Sequence, residues 1–66
     1  MDIREYVINN FKGSGFDEIS SSVRESVKDK DEVTLPGLGV LFELLWDNSD
    51  DNMRHNIISI IEKSLK

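Results

Sequence analysis

His55 is the one side chain in this 66-residue chain whose ordinary titration falls near neutral pH, so a proton relay or pH switch would have to run through it. It stands between Met53 and Ile57, four residues after Asp51, on the far side from the apolar residues around it. That placement reads as a solvated histidine beside a carboxylate. Two adjacent acid pairs, Asp31-Glu32 and Asp50-Asp51, have the residue types of general acid–base catalysis, which needs burial to drive two pKa values apart. Both pairs sit in exposed polar connectors, so helix capping and solubility account for both. The run Asp47-Asn48-Ser49-Asp50-Asp51-Asn52 offers oxygen ligands but lacks the Gly and terminal Glu of a calcium loop. Gly37-Leu38-Gly39 has the outline of a phosphate-binding turn, yet leucine, valine and phenylalanine follow where Lys-Ser or Lys-Thr belongs. Those glycines suit the close approach of another backbone or a bulky side chain to a first helical turn. With no cysteine and one histidine there is no thiol nucleophile, disulfide framework or zinc, haem or iron–sulfur ligand set. The expectation is a protein with no catalytic, cofactor-binding or metal-binding residue and no small-molecule substrate, hence not an enzyme.

Charge narrows the partners. Thirteen acidic against eight basic side chains give a formal net charge of −5, which repels phosphate backbones. Lys28 and Lys30 lie close together, but Asp29, Asp31 and Glu32 neutralise them, so no basic recognition patch forms and DNA is not an expected partner. The start Met1-Asp2-Ile3-Arg4-Glu5 is mixed in charge and leads into no apolar run of signal-peptide type. The longest apolar stretch, Leu38 to Trp46, is less than half of a membrane-spanning helix, so a soluble intracellular protein is expected.

The elements follow from spacing. Ile3, Tyr6, Val7 and Phe11 fall at i, i+3, i+4 and i+8, one side of a helix, with Arg4, Glu5, Asn9 and Lys12 on the other. Gly13-Ser14-Gly15 closes it, and Ser14 is the expected cap of a second helix from about Phe16 to Lys28, whose stripe is Phe16, Ile19, Val23 and Val27. Asp29-Lys30-Asp31-Glu32 reads as an exposed connector. Pro36 bars a helix from running through Leu35 and favours one starting at Pro36 itself. The last helix carries Met53, Ile57, Ile60 and Ile61, widened by Ile58 and Leu65, with Asn48 or Ser49 as cap and acids in its first turn. Residues 1–66 thus form a single small all-α domain of four short helices in an orthogonal or hairpin-paired bundle, two helices paired across Gly13-Ser14-Gly15 and two across Asn48-Ser49.

Everything must be built around Leu38 to Trp46, which holds seven large apolar side chains and one charge, Glu43. A strand there would have to be buried on both faces, which so short a chain cannot supply, and leucine favours helix. As a helix it presents Leu38, Leu41, Phe42 and Leu45 on one broad face, with Val40, Leu44 and Trp46 flanking. Trp46 reads either as a core tryptophan or as an anchor at a protein interface. Leu38, Leu41, Phe42, Leu45 and Trp46 are the candidate core and interface residues, because a chain this small leaves apolar surface uncovered and such surface marks a partner. A homodimer would bury it.

The run Leu35-Pro36-Gly37-Leu38-Gly39-Val40-Leu41-Phe42-Glu43, continuing through Leu44-Leu45 to Trp46, resembles the central signature of the small acid-soluble spore protein I family of endospore-forming bacteria. Chain length, the Met-Asp start, the glycine break near position 13 and the acidic linker agree with it. Ser20-Ser21-Ser22 and the short tail depart from it. The resemblance implies a minor protein of the sporulating cell, made in the forespore cytoplasm and kept in the spore core; the uncovered apolar surface points to the chain itself or another spore protein as partner. It implies no catalytic or ligand-binding residue. A weaker resemblance, two helices, a charged turn and an apolar Gly-x-Gly stretch, runs to the first half of histone-like HU proteins and implies a nucleoid-type DNA-associated protein. There the stretch is a strand leading to a basic arm, and no basic arm follows here.

Overall fold

A computed structural model describes residues 2–66. The all-α class is as expected: α1 (Ile3–Phe11), α2 (Phe16–Asp29), a 3-10 turn (Glu32–Thr34), α3 (Leu35–Asp47) and α4 (Asp51–Ser64), with no strand among the described residues. The apolar run from Leu38 to Trp46 is therefore helical, unlike the strand of the HU comparison.

Side chains at the helix ends set the boundaries. The Asp2 carboxylate accepts from the Arg4 N–H at 2.9 Å and starts α1. Gly13 then takes φ 82°, a conformation glycine adopts without steric cost, and the Ser14 N–H donates back to the Phe11 carbonyl. Because that bond holds Ser14 inside the turn, Gly15 and not Ser14 becomes the cap of α2, without a side-chain hydrogen bond. Glycine in this role costs only a few tenths of a kcal/mol. At the other end Lys30 closes α2 with φ 55°, a left-handed position usually given to glycine.

The connector is more structured than its composition suggests. Asp31 accepts from the Val33 N–H at 3.0 Å and the Thr34 hydroxyl donates to the Asp31 carbonyl at 2.7 Å, winding a 3-10 turn that runs directly into α3. Leu35 is consequently helical (φ −61°, ψ −43°), and α3 starts one residue before Pro36. Proline is still tolerated there, because a first-turn N–H has no helical partner to lose. At the far end Asn48 and Ser49 serve α3 and do not cap α4: the Asn48 side-chain amide donates to the Leu44 carbonyl at 2.8 Å and the Ser49 hydroxyl to that of Leu45. Asp50 is left to cap α4, accepting from the Met53 N–H at 2.8 Å.

The closest helix packing is between α1 and α3, which are not neighbours in the chain, rather than across either turn. Val7 and Val40, 8% and 6% exposed, are the only buried apolar residues among those described. Val40, placed on a flank by periodicity, is thus at the centre of contact. A helix apolar all round offers no preferred stripe, so its neighbour decides which side is buried.

The remaining helices stand off this pair. The radius of gyration is 13.0 Å, where a compact chain of this length has about 11 Å. Extents of 32 × 26 × 26 Å rule out a rod, so the excess reflects splayed helices. Accessible surface is 5740 Å², against about 4,300 Å² for a compact protein of this mass.

Candidate functional site

The groups with chemical potential are spent on structure or left in water. Asp31 and Asp50 both accept backbone N–H bonds at helix starts, while Glu32 and Asp51 are exposed beside them. His55 is exposed on α4. Among the described residues no three His, Cys, Asp or Glu side chains gather closely enough to hold a metal ion, and no helix is long and apolar enough to cross a membrane. Gly37 and Gly39 do not admit a close neighbour: a Cβ built on either would meet nothing within 4 Å. Their expected role in tight packing is therefore overturned, because α1 approaches α3 on the Val40 side.

The five candidate residues do not share one surface. Leu38 and Leu41, half-buried, line an open groove of about 350 Å³ between α1, α2 and the start of α3, together with Tyr6, Phe11, Ser22 and Val33. No charged side chain lines that groove. Phe42 and Trp46 turn toward α4, where they border a depression with Ile58. Leu45 faces a third dip at the α3–α4 turn, which it shares with Met53. Four positions of one apparent stripe are thus distributed among three surroundings.

Trp46 is the hinge of the α3–α4 arrangement. Its ring stacks with that of Phe42 one turn earlier, centroids 6.1 Å apart at 25°. The Arg54 guanidinium lies over the indole at 5.1 Å from the ring centroid, and its Nε donates to the Trp46 carbonyl at 3.0 Å. One arginine therefore adds a side-chain donor to a carbonyl that already accepts from the Ser49 N–H at 3.2 Å, and makes a cation–π contact. Beyond it, α4 is largely uncovered. Met53, Ile58, Ile60, Ile61 and Leu65 are all exposed, Ile60 at 65% and Leu65 at 81%.

Sequence spacing also missed a cross-link between α1 and α3. The Arg4 guanidinium donates from Nε to Glu43 Oε1 at 2.8 Å and from Nη2 to Oε2 at 2.9 Å, a bidentate pair across 39 positions. Its hydrogen bonding, then its charge, hold the Glu43 carboxyl below the ordinary glutamate range, and the same two causes raise Arg4. The one available signal was Glu43 itself, a lone charge in an apolar run.

Comparison with known proteins places these features in a family. A family described as small, acid-soluble spore protein I matches residues 1–65. A protein named small, acid-soluble spore protein I from Bacillus cytotoxicus is 37% identical over 65 residues, covering 98% of this chain and 93% of the relative. Proteins of the same name from Bacillus mycoides and Bacillus anthracis are each 35% identical over 65 residues, covering 98% of this chain and 94% of theirs. No solved structure matches the chain.

Proposed function

The chain belongs to the small, acid-soluble spore protein I family, and we propose that it is a non-enzymatic component of the forespore and spore core that acts by protein–protein contact. Family membership establishes it as a spore component. The contact mode rests on one observation: about 1,400 Å² more surface is exposed than a compact chain of this mass leaves wet, with Ile58, Ile60, Ile61 and Leu65 of α4 among the exposed apolar residues. Exposed apolar surface on this scale is characteristic of an interaction site. The side chains capable of acid–base chemistry are separated, exposed or engaged in capping, which supports the non-enzymatic reading. The net charge of −5 supports a protein partner over DNA.

The test is a photo-reactive amino acid placed at Ile60 and the chain recovered from spores. Covalent protein adducts of defined mass in the core extract, absent when the same group replaces exposed Glu18, are the expected result. A chain that partitions outside the core, or that yields no adduct from Ile60, contradicts the proposal.

A further inference from the structure

Resting on that contact reading, we propose that the occupant of the outer face of α4 is a second copy of this chain, the two α4 helices packing antiparallel about a two-fold axis. Met53, Ile57, Ile60 and Ser64 recur at alternating spacings of four, three and four, the rhythm of a coiled-coil seam. α4 meets α3 through Arg54 and Ile58 and, at its start, through Met53 beside Leu45, yet Met53 and Ile60 of the seam stay 48% and 65% exposed. Ser64 does not interrupt it, because its hydroxyl donates to the Ile60 carbonyl at 2.7 Å and brings no unpaired donor to the interface. Ile60, 65% exposed, gains little from burial within the single chain.

Area and charge identify the occupant. The surplus of about 1,400 Å² per copy is spread over the molecule and exceeds the roughly 800 Å² that each partner buries in an interface of standard size, so a pairing need cover only part of it. A two-fold interface uses the same patch on both sides, so the patch must complement itself. The seam has an uncharged centre, Asp50 and Asp51 at its start and Lys63 and Lys66 at its end. Antiparallel pairing sets the acidic end of each copy beside the basic end of the other and opposes the helix dipoles favourably. In this register Ile57 of one copy meets Ile60 of the other, and Met53 meets Ser64.

Sedimentation of the purified chain tests the pairing, with a mass near twice 7.6 kDa expected at about 100 µM and Ile60→Asp weakening association on the order of a hundredfold or more. Phe16→Asp, at a residue 85% exposed on α2, should leave the dimer intact. If Ile60→Asp costs the fold as well, the native chain gives the same reading, its helicity falling on dilution in step with its mass. The chain has no cysteine, so orientation can be read by disulfide trapping. Met53→Cys and Ser64→Cys, about 16 Å apart along a helix, should cross-link when mixed and not when alone. A monomer at every concentration with full helicity, a dimer indifferent to Ile60→Asp, or homotypic Met53→Cys cross-links would each overturn the proposal. A monomer that still forms adducts with a different spore protein would overturn the second copy while leaving the contact reading intact.

Discussion

The α1–α3 pair and α4 both carry large apolar side chains and have opposite fates. Where α1 crosses α3, Val7 and Val40 leave water and Arg4 grips Glu43 through Nε and Nη2, so non-local contacts hold two helices together. On α4 the cap, the acidic first turn and Lys63 in the last turn are all in place, yet its isoleucines remain largely wet. A well-capped 14-residue helix is marginal by itself, because most helix stability comes from burying an apolar face. The difference teaches that local sequence quality does not show where a chain is self-sufficient. The first region is held by contacts within one molecule, and the second leaves its apolar face largely uncovered.

Substitutions can break that contrast, beginning with the largest effect. Val40→Asp would leave an unpaired carboxylate in the best-buried contact among the described residues, costing about 3–5 kcal/mol, comparable with the whole stability of a domain this small. Loss of the cooperative thermal transition at every protein concentration is expected, and a retained transition would show that α1 and α3 are not the self-sufficient unit. Next, Gly39→Ala should raise stability by about 1 kcal/mol, because the glycine is exposed in mid-helix and an added Cβ meets open space. A fall in midpoint would mean that some chain packs on that turn.

The smallest effect is on the surface ion pair. Since Arg4 holds the Glu43 carboxyl below its ordinary range, the pair's contribution is full above that range and disappears as the pH falls through the lowered value. Glu43→Gln should therefore abolish part of the acid sensitivity of the α1–α3 contact while changing neutral-pH stability little, because exposed ion pairs are worth little. Chemical denaturation at neutral and acid pH compares the two proteins, and identical acid profiles would dismiss the pair as a cross-link.

How much of this was legible depends on distance along the chain. The stripes Ile3-Tyr6-Val7-Phe11 and Met53-Ile57-Ile60-Ile61 are local patterns, and they located α1 and α4 to within a few residues. Caps were harder, because Ser14 and Gly15, or Asn48, Ser49 and Asp50, stand in a row. Which of them takes the extended cap conformation depends on how many residues the preceding helix end consumes: Asn48 and Ser49 bond to the carbonyls of Leu44 and Leu45, so the cap passes to Asp50. The burial of Val40 was not legible, and of the Arg4–Glu43 pair only the lone charge of Glu43 gave a sign. Both depend on which helix meets which, and a helix as uniformly apolar as α3 accepts a neighbour on any side.

The contrast between the two regions is itself measurable by amide hydrogen exchange along the chain over a dilution series. Protection in α1 and α3 should be independent of concentration, while protection in α4 should rise as the protein is concentrated and its seam is covered. Protection that is equal in all four helices and unchanged by dilution would contradict the account, because α4 would then be stable without a second chain.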